Sequence, residues 1–198
     1  MPWAERRRFE RRKQCNAATG RGYRKHGEKS FGGGTPHLFA QLNRMDDVGL
    51  ADFLSFTVCP IVHGADHFGP MAGLQSLPSL LATACARYPG RALRIGPSNI
   101  GARSSPQGRQ PASDGTRRNA LAGRDPRTRG LFGAAWLLGH AAQAARAGAE
   151  AVSVISLRGD ADVLDETSDG CLLRSPTFFV LEQLARLKPL QSVTVPNA

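Results

Sequence analysis

The chain has 198 residues, 41% of them hydrophobic, with 26 Lys+Arg against 16 Asp+Glu and a formal net charge of +10. That is enough apolar material for one globular core, and no apolar run approaches the ~20 residues of a spanning helix, so a transmembrane reading is excluded. The Arg-rich start lacks the apolar stretch of about 7–15 residues of a secretory signal, and Cys15, Cys59, Cys85 and Cys171 form no C-x-x-C pair, which argues against a zinc ribbon and a secreted disulfide scaffold.

Residues 1–29 carry ten basic and three acidic side chains, so most of the positive charge belongs to this tail. It has almost no apolar periodicity and reads as a solvated, disordered extension. The alternative is a phosphate-neutralising arm, with only Trp3, Phe9 and Tyr23 to stack on bases. Gly32-Gly33-Gly34 then reads as a loop feeding a buried strand over Leu38–Leu42, which Asn43 and Arg44 end. No Lys-Ser/Thr pair follows the glycines, so they do not make a P-loop. Phe53–Val58, FLSFTV, is β-branched and aromatic and predicts a second strand. It leads into the polar loop CPIVHGADHFGP. Residues 71–88 predict a helix, because Leu74, Leu77, Leu81 and Cys85 recur at spacings of three and four before Pro89-Gly90. Residues 91–96, RALRIG, predict a third strand closed by Pro97. A loop over Ser98–Asp125 follows, longer than compact domains usually carry.

Asp125-Pro126 opens the clearest helix: Asp suits the N-cap, Pro the first helical position, and Gly148 the stop. His140 lies mid-helix among alanines and reads as structural. Arg127 and Arg129 sit at the unfavourable end of the helix dipole. They read as a solvated first turn, with pairing to acids or a ligand as the alternative. Residues 151–157, AVSVISL, predict a strand, Pro176–Leu187 a last helix, and SVTV the start of a further strand. Strands alternating with helices predict an α/β fold with a mainly parallel sheet, whose chemistry lies at the carboxyl ends of the strands. That rule selects Asn43; His63, Asp66 and His67; Asn99 and Arg103; Arg158 and Asp160.

Taken together, GGGTPHLFAQLNR, FLSFTVCPIVHGADH, RIGPSNIGAR and DPRTRGLFGAAWLLG resemble, in this order, the barrel domain of the D-apionate lactonase family. The resemblance implies a (β/α)8 TIM-barrel relationship. The four strand candidates would be the last four, so residues 32–188 are expected to form a partial barrel. Residues 1–31 would be the basic tail and residues 189–198 the start of a truncated C-terminal segment. The resemblance also implies hydrolysis of a sugar lactone, D-apionolactone to D-apionate, in bacterial carbohydrate catabolism. The expected partner is a small-molecule sugar lactone, the location cytoplasmic, with no membrane and no cofactor. Gln41 stands where the family strand has an acidic residue, two positions before the Asn; an amide cannot do acid–base work.

Lactone hydrolysis needs an activated water, a stabilised oxyanion and a proton for the leaving alkoxide. His63 is the candidate base, since an imidazole titrates near neutrality. Asp66 would orient it or bind sugar hydroxyls. Asn43 and Asn99 would contact substrate, and Arg94 and Arg103 would hold a carboxylate or oxyanion. The plainer readings are a loop histidine bonded to backbone for His63 and a loop cap for Asp66. His63, Asp66 and His67 on one short loop are poorly placed to surround an ion, so no metal is expected. Cys59 reads as a buried small side chain rather than a nucleophile. Two other functional readings stand beside the enzyme. One is an inactive barrel fragment that self-associates through open sheet edges. The other is a nucleic-acid binder that rests on residues 1–29 alone.

Overall fold

The computed structural model describes residues 30–102, 110–154, 156–157, 163–166 and 169–187. The basic tail, Arg103, Arg158, Asp160 and the SVTV run lie outside the described residues. In chain order the elements are β1 (Gly32–Leu38), α1 (Phe39–Leu42), β2 (Phe53–Thr57), α2 (Phe68–Arg87) and β3 (Ala92–Ser98). A 3-10 turn (Pro126–Thr128), α3 (Leu131–Arg146), β4 (Ala151–Val154), β5 (Leu164–Glu166), β6 (Leu172–Arg174) and α4 (Pro176–Arg186) follow.

The strands β1 to β4 form one sheet in chain order, and each neighbouring pair is parallel. A doubly wound sheet would reverse its strand order at a switch point. This sheet winds in one direction, as a partial (β/α)8 barrel does. The antiparallel β5–β6 pair stands apart from it.

Strand alternation sorts the side chains. Leu54 and Phe56 of β2 and Leu93 and Ile95 of β3 point to one face. There they are buried with Leu77, Leu81 and Ala84 of α2 and with Leu42 and Ala144. Burying each such large side chain contributes about 1.5–3 kcal/mol. The intervening residues are polar. Ser55 Oγ donates to the Gly96 carbonyl (3.0 Å) and Thr57 Oγ1 to the Pro36 carbonyl (2.8 Å). A second cluster of Ile61, Ile100, Ala102 and Trp136 fastens the loops after β2 and β3 to α3.

Four expectations change. The first strand is Gly32–Leu38, not Leu38–Leu42. Its glycines lie in the strand because the backbones approach closely: Gly34 has φ +109°, and a Cβ there would overlap the Ser55 carbonyl. Phe39–Leu42 forms a helical turn that brings Leu42 into the core and Phe39 onto Phe56 at 5.5 Å. Pro97 does not close β3. The strand continues to Ser98 because a register shift between Ile95 and Ser98 accommodates the proline, as bulges do. The helix expected from Asp125 starts as a separate 3-10 turn, and α3 begins at Leu131. Gly133 permits this, since a Cβ there would overlap the Arg127 and Thr128 carbonyls folded against it. The β5–β6 pair was not expected; its connection is longer than a two-residue hairpin turn and includes Gly170 at φ +82°.

Candidate active site at the carboxyl ends of the strands

The carboxyl end of β2 passes through Val58, which bridges to Ser98, into the loop that carries His63. Asn99 follows Ser98 at the end of β3 and donates its backbone N–H to the Val58 carbonyl at 3.3 Å. His63 and Asn99 therefore leave adjacent strands, which lie about 4.8 Å apart in a sheet. His63 is exposed and Asn99 is buried at 2% exposure.

Buried polar atoms at this end lack partners. Among the described residues, Ser98 Oγ, Asn99 Oδ1 and, near the end of β1, His37 Nδ1 find no hydrogen-bond partner. Folded proteins pair the large majority of buried polar side-chain atoms, so orphans concentrated at one end of a sheet mark a place built to receive polar groups. Ser98 was not singled out from the sequence. No local pattern distinguishes it, because only the pairing of strands brings it beside Val58 at the end of β2.

The loop bearing His63 is held from two sides. Asp66 Oδ1 accepts from the Gly69 N–H (2.6 Å) and so caps the start of α2, which is the plainer of the two roles expected for it. Gly69 has no Cβ because one would overlap the Gly64 carbonyl; loop and helix touch backbone to backbone here. On the other side Arg127 donates Nη1 to the Asp66 carbonyl. Arg127 is not a solvated first-turn residue. It is 8% exposed and forms a bidentate pair with Asp125, with Nη2 at 2.6 Å from Oδ2 and Nε at 3.0 Å from Oδ1. Asp125 also accepts from the Arg127 backbone N–H at 3.0 Å. This buried fork ties the end of the long loop to the His63 loop. His67 is exposed, with its ring edge-on to Phe132 at 5.5 Å.

Two expected substrate contacts are placed elsewhere. Arg94 lies near the amino end of β3. It pairs with Glu150 at 2.7 Å and covers the Phe53 ring at 4.0 Å, both at amino ends of neighbouring strands. Asn43 follows the α1 turn and caps it through its backbone N–H to the Phe39 carbonyl (2.8 Å). Because β1 ends at Leu38, Asn43 is already on the return path. The adjacent Met45 carbonyl is held by Arg87 and Tyr88 at the far end of α2. Gln41 lies within α1, its Oε1 buried without a partner. Among the described residues no group of three or more His, Cys, Asp or Glu could hold a metal ion, and no helix is long and apolar enough to cross a membrane.

Beside the strand ends a cavity of about 460 Å3 runs between α1, the His63 loop, α2 and α3. His63 and Thr57 line it, as do Trp136 and His140. The two α3 rings stack at 4.9 Å and 12°. Burial pushes the His140 imidazole down to about 4, so it is neutral at pH 7.

Residues 23–189 match the family described as D-apionate lactonase, TIM barrel domain. A relative named D-apionate lactonase from Brucella anthropi is 37% identical over 131 residues, 65% of this chain. The chain spans 22% of that relative's length. No solved structure matches it.

Proposed function

The chain belongs to the D-apionate lactonase family through its TIM barrel domain, and on that premise we propose that it takes part in hydrolysing a sugar lactone, D-apionolactone to D-apionate, in carbohydrate catabolism. One observation carries the reading beyond membership: the His63 loop and the buried, unpartnered Ser98–Asn99 pair share the carboxyl edge, where barrel enzymes do their chemistry.

In this reading His63 takes a proton from water. The water oxygen bonds to the lactone carbonyl carbon, the Asn99 Nδ2–H donates to the developing oxyanion, and the unpartnered Asn99 Oδ1 accepts from a sugar hydroxyl. The ring C–O bond then breaks, and the departing oxygen recovers the proton from His63 as a hydroxyl. Ser98 pairs with a sugar hydroxyl. Asp66 serves through its cap, holding the loop rather than the proton, and Arg127 positions the same loop.

The test is ring opening of a five-membered sugar lactone followed by acid release. His63→Ala should lower the rate about 10²–10⁴-fold. Ring opening no faster than in buffer alone, on chain shown to be folded, overturns the proposal.

The second reading, an inactive barrel fragment, is favoured by the sheet itself. Among the described residues β1 pairs with β2 alone and β4 with β3 alone, so two parallel edges are open. Light scattering over a concentration series distinguishes them: the fragment reading predicts growing assemblies without lactone turnover.

A further inference from the structure

The cavity beside the strand ends is built differently from a sugar site. Its walls include Leu38, Val62, Leu74, Leu77 and Leu80. A sugar lactone would leave most of its hydroxyls unpaired against such walls, at a cost for each. Its space arises from α2. Gly69, Gly73, Ser76, Leu77 and Leu80 share the face of α2 that lines the cavity, and a Cβ built on Gly73 meets nothing within 4 Å.

The far wall is polar at one spot. His140, fully buried, lines the cavity with neither Nδ1 nor Nε2 bonded, and the stacked Trp136 has its Nε1–H unbonded. A neutral imidazole offers one N–H donor and one bare nitrogen acceptor, and the indole offers a second donor. A single hydroxyl group both donates and accepts, so it can accept from the indole N–H and donate to the bare imidazole nitrogen. A carboxylate meets no cation among the lining residues, and burying it there is costly.

We propose that this cavity is a second binding site, separate from the lactone site, for a small neutral alcohol or phenol whose apolar body lies against α2 and whose hydroxyl bonds to His140 and Trp136. Because His63 lines the same cavity, an occupant there touches the loop that carries the proposed base.

The experiment titrates phenol into the isotope-labelled 198-residue chain and follows the Trp136 indole N–H resonance, with Trp3→Phe removing the other indole. The expected result is a saturable shift. His140→Phe should weaken phenol binding about tenfold, the worth of one lost hydrogen bond, while leaving toluene binding unchanged. Gly73→Leu, which fills the open space from a helical position, should abolish both. Absence of a saturable shift overturns the site, and so does unchanged phenol affinity in Gly73→Leu. Equal phenol affinity in His140→Phe overturns the hydroxyl assignment. Benzoate binding as tightly as phenol overturns the neutral class. None of these readouts depends on lactone turnover, so failure of this site and failure of the enzyme reading are separable.

Discussion

The two ends of the parallel sheet are made from the same four strands and are treated in opposite ways. At the amino ends most of the polar groups are paired, Gln41 Oε1 beside Leu42 being an exception. Arg94 binds Glu150, and the Phe31 N–H meets Asp52 Oδ2 at 3.0 Å. Arg91 Nη2 reaches the Gly49 carbonyl at 3.1 Å, and the Tyr88 hydroxyl lies 2.8 Å from the Leu42 carbonyl. At the carboxyl ends His37, Ser98 and Asn99 hold buried polar atoms with no partner, and the cavity beside them adds Trp136 and His140. Each orphan costs about 1–3 kcal/mol relative to a paired group. A chain selected for stability alone would not gather them at one end. The contrast supports the proposed assignment of the amino ends as framework and the carboxyl ends as the side that receives ligands.

The contrast is broken most severely at the buried fork that steadies the carboxyl end. Arg127→Met leaves Asp125, 4% exposed, as an unpaired buried charge. It should cost about 3–5 kcal/mol in urea unfolding, a loss far above that of any amino-end pair. If the loss is under 1 kcal/mol, the fork does not hold the loop.

The next largest effect is a pH dependence. Burial lowers His140 from 6.5 to about 4 in the folded chain. Above pH 6.5 both folded and unfolded chains keep this ring neutral and its contribution is constant. As pH falls from 6.5 to about 4, the unfolded chain takes up a proton that the folded chain refuses. Stability should then drop by about 3 kcal/mol over that window. Urea midpoints across the window check this, and His140→Phe should remove this share of the slope.

A smaller change should go the other way. Gly73→Ala meets open space and removes a helix-interior glycine, so the stability in urea unfolding should rise by about 1 kcal/mol. A loss would mean that the space beside α2 is filled. The smallest effect belongs to the amino end. Arg94 is part-exposed, and Arg94→Ala should cost about 0.2–1 kcal/mol with lactone opening unchanged. A large fall in turnover with that variant would erase the distinction between the ends.

Much of this was legible without coordinates, and the failures have a common origin. Strand β2, helices α2 and α4, and strand β4 follow from β-branched runs, three-and-four spacing and flanking breakers. They match observed elements to within three residues at each end. The strand β1 escaped because its glycines look like a loop until a partner strand is placed against them. The α1 turn escaped because four residues carry no period. That error moved Asn43 to the wrong end of the sheet, since a strand thought to end at Leu42 would have delivered it to the site. Arg94 failed for a related reason: the pattern gives a strand, but only register shows which end a residue occupies.

By itself the sequence determined the alternation of strands and helices, the family, and the loop on which His63 sits. These depend on local chain preferences and on residues near in sequence. The tertiary structure alone decided that Ser98 lies beside Val58 at the end of β2, that Arg127 is buried against the Asp66 carbonyl, and that His140 faces a cavity across from α2. Those facts depend on pairing and packing between segments far apart in the chain. A partner's side chain, not a residue's own neighbours, fixes whether a buried polar atom is satisfied.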